Sequence, residues 1–173
     1  DWYLLDTDYH AGHKRMIRDL NHLYLEEASL YEQDFNGAGF CWLAADDYEN
    51  SVLSFVRYAK DRDDHIVVLV NLTPLPREFY RIGVPCGDYY QVVMNTDSTY
   101  YSGSNYEVGA FFTPDSKAAH GQQYSLSINV PPLATIFLKP REQLAPEKRK
   151  YSDKKHRIKE KQKHKGRLSI TAF

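Results

Sequence analysis

Between Phe40 and Leu138 short runs of β-branched and aromatic residues follow one another, separated by turn-forming residues. Phe40–Leu43, Ser51–Tyr58, Ile66–Leu72, Glu78–Ile82, Tyr89–Met94, Tyr124–Val130 and Thr135–Leu138 have strand length and strand composition. Asp46–Asn50, Asp61–Asp64, Pro74-Leu75-Pro76, Pro85–Asp88 and Pro131-Pro132 supply the turns. No helical pattern of 10–15 residues alternates with these runs, which excludes a doubly wound parallel sheet and predicts an antiparallel β-sandwich. Ser51–Tyr58 and Ile66–Leu72 read as a hairpin closed by a charged loop. Both are apolar at successive positions, so burial on two faces is expected. The stretch from Asn95 to Gln123 lacks periodicity and is expected to cover one end of the sandwich.

The first 34 residues read differently. Met16, Ile17, Leu20, Leu23 and Tyr24 recur with a period near 3.6, the pattern of an amphipathic helix over Lys14–Leu25. Arg15, Arg18, Asp19 and His22 fall on the other side. A second helical turn is expected between Ala28 and Asp34. A single amphipathic helix has nothing of its own to bury against, so it must pack on the sheet or on another domain.

Charge divides the chain further. The formal net charge is −1, yet from Lys139 onward 13 Lys and Arg face only 4 Asp and Glu, leaving residues 1–138 at −10. Glu147–Arg167 contains almost no apolar side chain, so disorder is expected for a basic tail over 142–173. Such a tail could bind an anion or nucleic acid by charge. An acidic body repels phosphate and argues against it. Cys41 and Cys86 are far apart and lack metal-site spacing, which suits reduced thiols and a cytoplasmic protein. The opening residues show no signal-peptide pattern. The first residue is Asp1 rather than Met, so the sequence is expected to begin inside a longer protein.

Catalytic constellations are absent from the sequence. Ser102-Gly103-Ser104-Asn105 is not a nucleophile elbow. His10 and His13 lack the glutamate of a zinc-helix motif and a third ligand. Asp46 and Asp47 are adjacent, so they point apart and cannot flank a glycosidic bond. No glycine loop cradles a phosphate. Neither a metal nor another cofactor is expected. The aromatic residues remain as possible binding groups. Trp42, inside a strand, is expected to be buried, whereas Trp2 and Tyr3 precede the helix and can present exposed rings.

Several strings invite a family comparison. Asp1-Trp2-Tyr3-Leu4-Leu5, His10 and Met16–Tyr24 open an ordered series. It continues through Asp34-Phe35, Gly39–Trp42, Ser51–Arg57, Val70–Pro74, Tyr80–Pro85, Asn95–Ser98, Gly103–Asn105, His120-Gly121 and Pro131–Thr135. Together these resemble the C-terminal part of bacterial glycogen (1,4-α-glucan) branching enzymes of the α-amylase superfamily. The resemblance covers residues 1–141 and implies three parts. Residues 1–34 would be the end of a catalytic (β/α) barrel, with its last helix. Residues 38–141 would be a mainly β, antiparallel sandwich domain, and 142–173 a basic extension foreign to the family. It further implies a hexosyltransferase whose catalytic carboxylates lie upstream of Asp1, so the fragment alone is expected to be inactive. Its implied partners are an α-1,4-glucan and the missing barrel, with no membrane partner. Trp2, on a loop at the barrel's active-site face, is the candidate glucan-stacking residue. A stand-alone carbohydrate-binding sandwich, or anion binding through the tail, are the alternatives.

Overall fold

The computed structural model describes residues 1–141; the expected basic tail over 142–173 lies outside them. A 3₁₀ turn at Trp2–Asp6 leads into helix α1 (Asp8–Glu26) and a single turn, α2 (Ala28–Tyr31). Eight strands follow: β1 Phe40–Asp47, β2 Val52–Tyr58, β3 His65–Asn71, β4 Arg77–Val84, β5 Tyr89–Asn95, β6 Phe111–Phe112, β7 Tyr124–Val130 and β8 Thr135–Arg141. The seven strands expected from sequence are present. The addition is the two-residue β6, too short to leave a period of its own.

The strands form two antiparallel sheets, one of six strands in the order β1-β2-β3-β8-β5-β6 and one of two, β4-β7. β2 and β3 pair as the expected hairpin, from Val52 opposite Asn71 to Tyr58 opposite His65. Alternation along each strand sends one set of side chains inward. Val56, Tyr58, Val67, Leu69, Tyr90, Ile136 and Leu138 from the large sheet meet Ile82, Val84, Leu126, Ile128 and Val130 from the small one. That layer is the core, and its burial is the main favourable term of the fold.

The outer face of the large sheet carries the helices. On β3, Ile66 and Val68 are buried there while Val67 and Leu69 are buried on the core side, so two-face burial holds for this strand. β2 differs: Val52, Ser54, Val56 and Tyr58 are buried, but Leu53, Phe55 and Arg57 are only partly covered. Of the two α-helices, α2 is the one that packs on β2, and beside the edge strand β1 only the short 3₁₀ turn Gly37–Gly39 follows it.

That boundary also corrects the expectation for Trp42. Cys41 lies opposite Val56 and packs toward the core, so Trp42, one residue on and opposite Phe55, points outward. It is 51% exposed. A strand buries alternate residues only where something covers the second face.

Helix α1 docks in an unexpected orientation. Its polar side, not its apolar stripe, meets the loop at the end of the sheet. Arg15 Nε donates to the Tyr100 carbonyl at 2.8 Å, and Arg18 donates to the Tyr100 hydroxyl. Tyr101 Oη donates to Asp19, and Ser102 Oγ donates to the Asp8 carbonyl. Gly12 allows this approach, since a Cβ there would lie 2.6 Å from the Tyr101 carbonyl oxygen. The Asn95–Gln123 stretch is therefore the seat of α1 as well as a cover. Met16, Leu20 and Leu23 are half-buried at the edge of the contact, whereas Ile17, Tyr24 and Leu25 face outward.

A buried ionic cluster fixes the other end of the helix. Lys139 on β8 reaches both Glu27, which ends α1, and Asp64, in the β2–β3 loop. An ammonium this enclosed persists only because two carboxylates surround it.

Candidate functional site

Trp2 sits in the opening 3₁₀ turn, and its ring is 84% exposed. The turn is pinned locally, with Thr7 Oγ1 donating to the Leu4 carbonyl at 2.7 Å and lying 2.8 Å from His10 Nδ1. Trp2, Leu4, Leu5 and Tyr9 line an open cleft of about 540 Å³, together with His10, His13 and the charged Asp1 and Lys14. Most of the surface it exposes is apolar, a ring face and aliphatic side chains, bordered by these ionisable groups. The exposed Trp2 ring suits stacking against a flat apolar face such as that of a sugar ring. Among the described residues no group of three His, Cys, Asp or Glu side chains could hold a metal ion. His10 and His13 thus share the cleft without a third ligand.

Asp47, another polar group singled out in the sequence, has structural partners. Asp47 accepts from Tyr80 Oη at 2.7 Å and from the Asn50 backbone and side-chain nitrogens. Partial burial pushes its carboxyl up, but the hydrogen bonds from Tyr80 and Asn50 outweigh this and hold it below its usual range. Asp46, next along β1, is exposed and does not share these bonds. The two carboxylates are separated, as adjacent residues on a strand must be. Asp47 ties β1 to β4, and hence one sheet to the other.

Sequence reasoning missed a buried chain of hydrogen bonds in the core. Cys86 Sγ lies 3.3 Å from Tyr90 Oη, which lies 2.9 Å from His65 Nε2. His65 Nδ1 lies 3.1 Å from the Asp63 carbonyl. A carbonyl can only accept, so Nδ1 carries the proton and Nε2 accepts from the tyrosine. Burial lowers the His65 pKa and raises that of Tyr90. A neutral imidazole and a neutral phenol satisfy each other, and the thiol can donate to the phenol oxygen. That is a structural arrangement rather than an activated nucleophile. Nothing in the periodicity of β3 or β5 marks it beforehand, because both residues are inward-facing strand positions.

Asp97 organises the loop below α1. It is buried and accepts from the Ser104 backbone and hydroxyl and from the Tyr106 backbone, at 2.7–2.8 Å. The Asn95–Ser98 and Gly103–Asn105 strings thus meet around one carboxylate, and the loop they shape carries the Tyr100-Tyr101 turn that holds the helix.

Comparison with known proteins agrees with this architecture. Residues 42–141 match the family described as "Alpha amylase, C-terminal all-beta domain". Two curated relatives are the 1,4-alpha-glucan branching enzymes GlgB of Pseudomonas putida and Pseudomonas fluorescens. Each is 45% identical over 140 residues, covering 81% of this chain and 19% of the relative. That of Pseudomonas syringae is 42% identical over 141 residues, covering 82% and 19%. A crystal structure of alpha-amylase from H. orenii aligns over 72% of this chain and 19% of its own, at 21% identity and a TM-score of 0.44. The chain therefore spans about a fifth of the length of the curated relatives it matches. With paired antiparallel sheets in place and the family match running from Trp42 through the last strand, this chain belongs to the α-amylase C-terminal all-beta domain family.

Proposed function

We propose that this chain is the C-terminal part of a 1,4-α-glucan branching enzyme, acting in glycogen biosynthesis in the cytoplasm. The observation that carries the reading is the 45% identity over 140 residues to branching enzymes. In it, residues 1–34 close a catalytic barrel, residues 38–141 form a supporting sandwich, and 142–173 are a basic extension. The reaction is a double displacement on an α-1,4-glucan. A carboxylate elsewhere in the longer polypeptide attacks the anomeric carbon, and a glucan 6-hydroxyl takes the place of water as acceptor. The residues of this chain bring no carboxylate pair to that chemistry. Their contribution is to support the barrel and, through Trp2, to offer a stacking face to the glucan. No helix among the described residues is long and apolar enough to cross a membrane.

Two measurements test this. The 173-residue chain, incubated with amylose and stained with iodine, should form no branches; measurable branching places catalytic groups within it. In the longer enzyme, Trp2→Ala should weaken glucan affinity roughly tenfold, a loss at the lower end of the about 1–3 kcal/mol that a nucleobase gains by stacking on an aromatic side chain. An unchanged affinity and unchanged transferred-chain length remove Trp2 from the site.

A further inference from the structure

Helix α1 is entered through Thr7, a residue type that ordinarily caps a helix by accepting from a backbone N–H of the first turn. Here the threonine side chain makes no capping bond. Its Oγ1 instead donates to the Leu4 carbonyl at 2.7 Å and lies 2.8 Å from His10 Nδ1. Leaving the cap unmade sacrifices helix stability. The side chain that is diverted from the helix goes to an imidazole on the cleft that Trp2 lines.

That diversion fixes the chemistry of His10. A hydroxyl has one proton and a carbonyl can only accept, so the Thr7 proton is directed at Leu4. The contact between Oγ1 and Nδ1 is then a hydrogen bond only when Nδ1 carries a proton and donates. In the neutral ring Nε2 is therefore bare, an acceptor with its lone pair on the side of the ring away from Nδ1. Nε2 has no hydrogen-bond partner among the described residues, and the His10 side chain is exposed on the cleft. An aromatic face alone fixes only the plane of a sugar ring that stacks on it. An acceptor beside that face adds a direction, because it favours the placement that turns a hydroxyl proton toward it.

We infer that His10 Nε2 accepts a hydrogen bond from a hydroxyl of an α-1,4-glucan stacked on Trp2, with Thr7 as the positioning residue that holds the required tautomer; this rests on the branching-enzyme reading and on Trp2 as its stacking face. His10 contacts the glucan, and Thr7 acts through His10. No proton leaves the sugar, and the imidazole stays neutral throughout.

Two measurements test this, both at about pH 8.5, where an imidazole is neutral. In the 173-residue chain, nitrogen NMR of the histidine rings should show His10 with Nδ1 protonated and Nε2 bare. Thr7→Val should give a mixture of the two tautomers, and Thr7→Ser should keep the first. In the longer enzyme, His10→Leu should weaken maltoheptaose binding about three- to tenfold, the effect of one lost hydrogen bond. Its melting temperature should not change, because the side chain is exposed. Thr7→Val should lose part of the same affinity, and Thr7→Ser should bind as the unaltered enzyme does. A proton on Nε2 of His10 in the unaltered chain overturns the inference. So does unchanged affinity in His10→Leu, or a loss of affinity that comes with a fall in melting temperature, which marks the pair as a structural pin of the turn. If Trp2→Ala loses affinity and His10→Leu does not, the stacking face stands and the hydrogen bond falls. A loss in His10→Leu by a longer polypeptide that forms no branches on amylose upholds the hydrogen bond and removes the branching reading.

Discussion

Lys139 is the residue whose removal most directly tests how the helices are held on the sheet. Its side chain is 9% exposed and contacts Glu27, 17% exposed, and Asp64, 35% exposed. In Lys139→Met the stem is replaced by a similar volume of apolar side chain, so packing changes little and the ammonium alone is lost. Glu27 and Asp64 are then left facing a site that no longer carries positive charge. Breaking a buried pair by removing one partner costs about 3–5 kcal/mol. Asp64 is open enough to water for its share to be at most about 1 kcal/mol, as for surface pairs. The Glu27 contact therefore dominates, and the variant should lose about 3 kcal/mol. With a urea dependence of about 2 kcal/mol per molar, the unfolding midpoint should fall by roughly 1.5 M. The triple variant Glu27→Gln/Lys139→Met/Asp64→Asn has no unbalanced charge and should recover most of that loss. A single-variant shift below about 0.5 M, or a triple variant as unstable as the single one, would refute the account of the cluster as a buried clasp.

Two further outcomes follow from the geometry. Asp47 has its pKa held down in the folded state, so the stability it contributes is present above the ordinary carboxylate pKa and is lost as pH falls through the depressed value. Asp47→Asn should thus lower stability near pH 7 by about 1–3 kcal/mol, with the gap from the unaltered chain closing in thermal melts as the solution is acidified; a gap independent of pH contradicts the assignment. Gly12→Val should lift α1 off the Tyr100–Ser102 turn, because a Cβ would meet Ser102 Oγ at 2.3 Å and the Tyr101 carbonyl. A cost of about 1–3 kcal/mol is expected for such overpacking, read as faster hydrogen exchange across α1 with the sheets still protected.

Much of this architecture is legible in the residues. The β-branched runs and their turns predict the strands because local pattern and turn chemistry agree in each. The stripe from Met16 to Tyr24 predicts the helix for the same reason. Less legible were the contacts between elements. Arg15, Arg18 and Asp19 look like the solvated side of an amphipathic helix, yet they bond Tyr100 and Tyr101, some 80 residues away in sequence. Lys139 looks like the first charge of a basic stretch and is instead enclosed by two acids. The candidate cleft was legible only as an exposed Trp2; Leu5, Tyr9, His10 and His13 joined it through the 3₁₀ turn.

The positions of the strands along the chain, the presence of the helix and the uneven distribution of charge were determined by the amino-acid sequence alone. These depend on residue type at short range. Which faces are covered was decided by the tertiary structure. Alternation assigns Trp42 and Val56 to opposite sides of a sheet, but a side becomes interior only when a second layer reaches it, and neither α-helix covers Trp42. The same outward position that is buried at Val68 is therefore open at Trp42.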